Sequence, residues 1–140
     1  MADVELSIPA RSAYVGVVRL AIGALARAVQ LDEEVVEDLR IAVSEACTNA
    51  VLSHEQLGVD APVIVTWREE PDRLLVEIAD EGAVYDPENL NVDDTQSLRL
   101  SMSVAMLRSL MDDCEISPRS GPGMSTRFVV PRTPAGSGPI

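Results

Sequence analysis

Aromatic residues are scarce in this sequence: they make up 3% of its 140 residues, although apolar residues as a whole make up 46%. The core must therefore be built mainly from Val, Leu, Ile, Ala and Met side chains. The apolar content indicates a globular chain rather than a disordered one. A chain of this length suits one ordinary domain that buries a core without covalent staples, so we expect no second domain.

Cysteine and histidine are also rare, with Cys47, Cys114 and His54 as the complete set. Two widely separated cysteines do not make a disulfide framework, and a single histidine leaves no metal-ligand cluster of zinc-like spacing. We interpret both thiols as reduced core residues. We interpret His54 as a residue that ends or caps a helix.

Positively charged residues are few. The sequence has 11 Lys and Arg residues and 23 Asp and Glu residues, which gives a formal net charge of −12. Such a surface repels a nucleic-acid backbone and an anionic membrane, so a basic protein partner fits better. No apolar stretch approaches the roughly 20 residues that span a bilayer, and no positively charged start precedes an apolar run. We therefore expect a cytoplasmic protein with no direct nucleic-acid or membrane contact.

The pattern of apolar residues predicts the order strand, two helices, hairpin, loop, helix and hairpin. Strands are predicted over 4–8, 62–67, 73–79, 114–117 and 126–130, helices over 12–30, from 32 to about 53 and from about 100, and a long functional loop over 80–98. This order predicts an α+β fold, a two-layer α/β sandwich whose mixed, mostly antiparallel sheet carries the helices on one face. We place the domain over 1–131 and a flexible tail over 132–140.

Helical spacing also predicts which side chains of the second and third helices face the core. In the second helix Asp32 is the predicted N-cap, and Glu33 and Glu34 follow in the first turn, where the helix dipole favours anions. The apolar stripe of that helix consists of Val35, Leu39, Ala42, Val43, Ala46 and Ala50. The predicted inward face of the third helix consists of Met102, Ala105, Met106, Ser109 and Leu110.

The second predicted helix carries Glu45 and Asn49, four residues apart and therefore on one face. A carboxylate can take a proton and an amide oxygen can hold a hard cation, which together suit the movement of a phosphoryl group. From spacing alone, the better interpretation is that both are ordinary polar residues that flank a core stripe.

A second candidate motif, Asp80-Glu81-Gly82, lies where the strand over 73–79 runs into the long loop. A carboxylate at that place can accept a hydrogen bond from an exocyclic amine such as that of adenine, and a glycine two residues later lets backbone approach a flat ring. Taken alone, Asp80 is more simply a turn residue at the end of a strand.

Together the two motifs resemble those of the GHKL (Bergerat-fold, histidine-kinase-like) ATPases, and among them the small anti-sigma factor serine kinases. Residues 43–51 read Val-Ser-Glu-Ala-Cys-Thr-Asn-Ala-Val, close to the family's Val-Ser-Glu-Ala-x-Thr-Asn-Ala. Residues 80–87 read Asp-Glu-Gly-Ala-Val-Tyr-Asp-Pro, similar to the family's Asp-x-Gly-x-Gly-Phe-Asp-Pro. The resemblance extends over nearly the whole chain, from the first strand to Val130.

The resemblance implies ATP and Mg²⁺ as cofactors, with Glu45 as the general base, Asn49 as the magnesium ligand, and Asp80 and Gly82 as adenine contacts. It also implies a homodimer whose partners are a sigma factor and an anti-anti-sigma protein of the STAS type, which the kinase phosphorylates on Ser or Thr. Arg19 matches the position of a sigma-binding arginine in the family, although a solvated helix-face charge is an equal alternative.

The sequence departs from the family pattern in three features. Val84 replaces a loop glycine, so a turn that requires positive φ must be rebuilt. Ser101 and Ser103 replace the glycines of the lid, where they can offer hydroxyl groups to the nucleotide instead of bare backbone amides. Met124 stands where a hydroxyl normally joins the adenine network, and Ser125 is the expected substitute.

These departures leave two further functions open. One is a degenerate module that holds sigma or another partner without ATP turnover. The other is a stand-alone ATPase domain that serves an unrelated partner.

Overall fold

A computed structural model describes residues 3–132 of the protein. Its strands are β1 (Asp3–Ile8), β2 (Val63–Glu69), β3 (Arg73–Ala79), β4 (Cys114–Pro118) and β5 (Met124–Pro131), and its helices are α1 (Val15–Ala28), α2 (Glu33–Leu57) and α3 (Thr95–Leu110). A 3₁₀ turn over Ser12–Tyr14 leads into α1. The predicted order of elements is confirmed.

The five strands form one sheet in the order β1-β2-β3-β5-β4, and every neighbouring pair is antiparallel. Helix α2 packs on β2 and β3, with α1 and α3 against its flanks. Buried and more exposed side chains alternate along β2 and β5, as expected of a sheet with one covered face. The predicted α+β sandwich is confirmed, although the sheet over residues 3–132 is antiparallel throughout and not mixed. Trp67 and Phe128 are the largest side chains in its core.

Helix α2 is longer than predicted. It begins after Asp32, with Glu33 and Glu34 in the first turn, although the Asp32 side chain makes no capping hydrogen bond. The helix continues one turn beyond the predicted end because Gly58 supplies the left-handed conformation, with φ 67°, that closes its last turn. His54 lies in that last turn, where it is buried rather than capping the helix end.

Helix α3 differs from the prediction in its start and in its inward face. It begins at Thr95, where Asp94 accepts a hydrogen bond from the backbone N–H of Gln96 at 3.1 Å. Serine at the former lid-glycine positions also favours helix over an open loop. The predicted inward face is wrong for most of its residues, because Met102 is 66% exposed and Met106 is 38% exposed. The buried side chains are Ser103, Val104 and Leu107, and of the predicted set Leu110 packs against the core.

Strand β5 is the last element of the described residues. Strand β5 ends at Pro131, and the backbone N–H of Arg132 donates to the Asp72 carbonyl at 3.0 Å. The rest of the predicted tail, residues 133–140, lies outside the described residues. Over residues 3–132, the helices are too short or too polar to traverse a bilayer.

Candidate active site

A cavity of about 180 Å³ opens between α2, the end of β3, the start of β5 and the first turns of α3. Its apolar lining includes Ala46, Ile78, Leu100 and Met124, and its polar lining includes Asn49, Asp80, Arg99 and Thr126. Pockets that enclose a drug-sized ligand usually measure roughly 300–1,000 Å³. In this conformation the cavity therefore suits a group the size of a nucleobase, and a larger ligand must extend past its mouth.

Asp80 directly follows β3 and is one of the residues that line the cavity. Its Oδ1 accepts hydrogen bonds from the backbone N–H groups of Gly82 at 2.8 Å and Met124 at 3.1 Å. Its carbonyl accepts a third bond from Arg119 Nη1 at 2.7 Å. Among residues 3–132 no group donates a hydrogen bond to Oδ2, so the protein leaves the hydrogen-bonding capacity of this oxygen unused.

Two glycines pack around Asp80. Gly123, with φ +92°, brings the turn before β5 so close that a Cβ built on it would lie 1.9 Å from the Asp80 carbonyl oxygen. Gly82 is buried but does not line the cavity, and a Cβ built on it would lie 2.2 Å from Ser53 Oγ. Both positions therefore need glycine because other groups approach their backbone closely.

Asn49 lines the cavity, and two side chains of α3 hold its amide group. Asn49 Nδ2 donates to Ser103 Oγ at 2.8 Å, and Arg99 Nη1 donates to Asn49 Oδ1 at 3.0 Å. These bonds tie α3 to α2. The amide oxygen predicted to hold Mg²⁺ thus already has a cationic partner.

The charges around the cavity are few. Arg99 is the one basic side chain in its lining among residues 3–132. Tyr85 also lines the cavity, and burial first, then the negative charge of Asp80, raises the pKa of its phenol to about 12. The phenol is therefore neutral at physiological pH and can donate a hydrogen bond.

Glu45 lies outside the cavity, in a neighbouring open groove that also contains Arg19, Thr48 and Met106. Arg19 Nε donates to Ser44 Oγ at 2.9 Å, and that hydroxyl donates to the Arg40 carbonyl at 2.7 Å. The structure therefore brings Glu45 and Arg19 together in one groove, while Asn49, one turn further along α2, lines the cavity.

The three predicted hydroxyl contacts have different surroundings. Ser103 bonds to Asn49, whereas Ser101 is half-buried on α3 and does not line the cavity. Ser125 lies on the other face of the sheet with Glu77 and Arg127, because successive residues of a strand face opposite sides. Thr126 is the hydroxyl of β5 that reaches the cavity.

The loop that contains Val84 has no residue in the left-handed conformation. Gln30 is the one non-glycine residue with positive φ among residues 3–132. Val84 itself is exposed and does not line the cavity. Valine in place of the family's glycine at position 84 therefore causes no backbone strain.

Sequence reasoning missed the site roles of Arg99, Thr126 and Ser53, and it assigned His54 to a helix end. Ser53 Oγ accepts from the Ala83 N–H at 2.7 Å, and His54 Nε2 accepts from the Glu81 N–H at 2.9 Å. Because alternate residues of a strand face the same side, the position of Met124 could have indicated that Thr126 also faces the site. The other contacts join residues far apart in the sequence, so no local pattern marks them.

Comparison with known proteins gives the family. Residues 8–130 match the histidine kinase-like ATPase domain family, so the chain belongs to the histidine kinase-like ATPases. Serine-protein kinase RsbW of Bacillus pumilus is 36% identical over 130 residues, which cover 84% of this chain and 80% of that protein. RsbW of Bacillus subtilis is 32% identical over 127 residues, with 84% and 79% covered. Within the ATPases, the chain thus falls among the RsbW serine-protein kinases, which confirms the resemblance carried by the two motifs and supports ATP-dependent protein serine/threonine kinase activity.

Two solved structures share the fold. The RsbU and RsbW domains of a Mycobacterium tuberculosis protein match with a TM-score of 0.69 and 16% identity, over 96% of this chain and 33% of that one. The SiaB–SiaC complex of Pseudomonas aeruginosa matches with a TM-score of 0.66 and 15% identity, over 91% of this chain and 88% of that one. At these identities the likeness establishes the fold alone.

Proposed function

We propose that this protein is an anti-sigma factor that sequesters a sigma factor and uses Mg-ATP to phosphorylate a Ser or Thr of an anti-anti-sigma antagonist of the STAS type. The observation that carries the proposal is the cavity shared by the open oxygen of Asp80 and the amide of Asn49. The names of the RsbW relatives support the kinase activity. A homodimer and a cytoplasmic location remain predictions from the sequence.

The adenine base would occupy the apolar part of the cavity, with its amino group donating to Asp80 Oδ2. A hydrogen bond to a charged group contributes about 1.5–3 kcal/mol. We propose Thr126 rather than Ser125 as the hydroxyl beside the base, since Thr126 lines the cavity and Ser125 does not. Met124 would supply apolar surface against the ring.

The phosphate groups would extend from the base to the mouth of the cavity, toward Asn49 and Arg99. The residues there fit Mg²⁺, because an amide oxygen is a hard donor and Asn49 Oδ1 already faces a positive charge 3.0 Å away. We propose that Asn49 holds the ion, which when bound neutralises phosphate charge. Arg99 would then leave the amide oxygen and donate to a phosphate oxygen, with the Ser101 and Ser103 hydroxyls nearby on α3.

Glu45 is the proposed base for phosphoryl transfer. Its open groove leaves room for a side chain of another protein to reach the carboxylate beside the cavity mouth. Glu45 would orient the antagonist hydroxyl and accept its proton as the oxygen bonds to phosphorus and the bond to the departing ADP oxygen breaks. Arg19, in the same groove, is the proposed sigma contact, and the net charge of −12 suits a partner with basic patches.

Phosphoryl transfer from ATP labelled on its terminal phosphate tests the proposal, with STAS-type proteins of the source organism as acceptors. Glu45→Gln should slow transfer by roughly 10²–10⁴-fold while ATP still binds. Glu55→Gln, at the exposed end of the same helix, is the matched control and should transfer at the parent rate. The kinase assignment fails if none of these acceptors is labelled, and the role of Glu45 fails if its variant matches the parent.

A further inference from the structure

The last turns of α2 hold the loop that follows β3. Glu81 N–H donates to His54 Nε2 at 2.9 Å, and Ala83 N–H donates to Ser53 Oγ at 2.7 Å. Between them, Gly82 lies so close to α2 that a Cβ built on it would be 2.2 Å from Ser53 Oγ. Three successive loop residues are therefore fixed to the helix.

His54 is placed to act as one of these anchors in a single orientation. The side chain is 1% exposed, and Nδ1 lies 3.0 Å from the carbonyl oxygen of Ala61. Because Nε2 accepts from a backbone N–H, Nδ1 must carry the ring proton and donate to Ala61. His54 does not line the cavity, so any effect on a ligand is indirect, and its bond to Glu81 provides a route through the loop.

The Asp80 carboxylate depends on the same loop. Gly82 N–H donates to Asp80 Oδ1 at 2.8 Å, and Met124 N–H donates to the same oxygen at 3.1 Å. Two backbone donors on Oδ1 fix the carboxylate and leave Oδ2 for a ligand. A shift of the loop backbone would move the first of these donors and allow the carboxylate to rotate.

We propose that His54 is a positioning residue for base recognition. Through its bond to Glu81 it holds the loop in the conformation in which Gly82 orients Asp80, and Asp80 then reads the exocyclic amino group of adenine. This inference rests on the proposed function, since the base is that of ATP. It extends that function by assigning base selectivity to a buried side chain that does not itself line the cavity.

Two substitutions at His54 test the roles of its two ring nitrogens separately. The amide of Gln reaches the position of Nε2, so His54→Gln keeps an acceptor for Glu81 and loses the donor to Ala61. The shorter Asn reaches the position of Nδ1, so His54→Asn keeps the donor to Ala61 and loses the acceptor for Glu81. Both variants replace a buried ring by a smaller amide, which makes them matched controls for lost packing.

Calorimetry then compares ATP with purine riboside triphosphate, which lacks the exocyclic amino group. The parent should prefer ATP by roughly 10- to 100-fold, the value of one hydrogen bond to a charged group. His54→Asn should reduce this preference to about threefold or less, whereas His54→Gln should keep most of it. Equal preferences in the two variants would overturn the positioning role, because lost packing alone does not distinguish the two ring nitrogens.

Hydrogen exchange of the Glu81 amide in the ligand-free protein gives an independent readout. Exchange should be slow in the parent and in His54→Gln and fast in His54→Asn, and fast exchange in the parent would overturn the inference. A parent that binds no ATP overturns the proposed function together with this inference. A parent that binds ATP selectively, with selectivity unchanged in His54→Asn, overturns the inference alone.

If His54→Asn does not fold, Ser53→Ala tests the neighbouring anchor of the same loop, since it removes the acceptor for the Ala83 N–H; because Ser53 also lines the cavity, the exchange rate of the Ala83 amide is measured beside ligand preference. This variant should speed exchange of the Ala83 amide and lower the preference for ATP. Parent-like preference together with fast exchange would overturn the proposal that the anchored loop sets base selectivity.

Discussion

Replacement of Gly123 by alanine should destabilise the protein strongly. A Cβ at this position would lie 1.9 Å from the Asp80 carbonyl oxygen and 2.5 Å from the carbonyl carbon, and φ is +92°. An alanine in the left-handed region costs about 1–2 kcal/mol, and relief of a clash with backbone adds about 1–3 kcal/mol. We therefore expect Gly123→Ala to lower the free energy of unfolding by about 2–5 kcal/mol.

Thermal unfolding followed by circular dichroism measures this loss. At this chain length, 2–5 kcal/mol corresponds to a fall in Tm of about 5–20 °C. Gly121→Ala is the matched control in the same turn, since its added Cβ would meet no atom within 4 Å and its φ is not left-handed. It should change Tm by no more than about 2 °C. Equal melting temperatures for the two variants would refute the close approach of Gly123 to Asp80.

Two further predictions concern the site and the core. Arg99→Gln should raise the Kd for Mg-ATP about tenfold and leave the Kd for adenosine unchanged, because Arg99 is the proposed donor to the phosphates; an equal change for both ligands in calorimetry would contradict this. Burial raises the pKa of the Cys47 thiol to about 12, so the thiol stays protonated at pH 8 and should be alkylated by iodoacetamide only after unfolding. Alkylation of Cys47 in the folded protein as fast as that of half-buried Cys114 would count against this.

Local sequence patterns predicted most of the helices and strands, because each element is specified by residues that lie close together in the sequence. The β-branched-rich runs over 62–67 and 73–79, joined by a turn of hairpin length, predicted the β2–β3 hairpin. The helical period of α2 predicted a stripe of which Leu39, Ala42 and Val43 are fully buried. The motif around Asn49 and the motif at Asp80 gave the family. The structure places both of these residues on one cavity.

The inward face of α3 could not be predicted from periodicity. Ser103 faces α2 because it accepts a hydrogen bond from Asn49 across 54 residues of sequence. Met102 and Met106 are exposed although both are apolar. A prediction based on hydrophobicity alone places polar side chains on the solvent-exposed face. It therefore assigns the wrong inward face to a helix in which a polar side chain is buried by a hydrogen bond to a distant residue.

The same limit explains the site residues that were missed. Arg99 reaches Asn49 across 50 residues and His54 reaches Glu81 across 27, and neither pair has a spacing that marks a motif. The family's hydroxyl position predicts Ser125 as the contact, whereas the alternation of β5 places Thr126 on the same side as Met124.

Calorimetric titration with Mg-ATP tests the central claim most directly, with Asn49→Ala beside the parent and Asn89→Ala, in the exposed loop, as the matched control. The account predicts micromolar binding by the parent and by Asn89→Ala, and its loss in Asn49→Ala. A parent that binds no Mg-ATP, or an Asn49→Ala variant that binds it as tightly as the parent, would contradict the account.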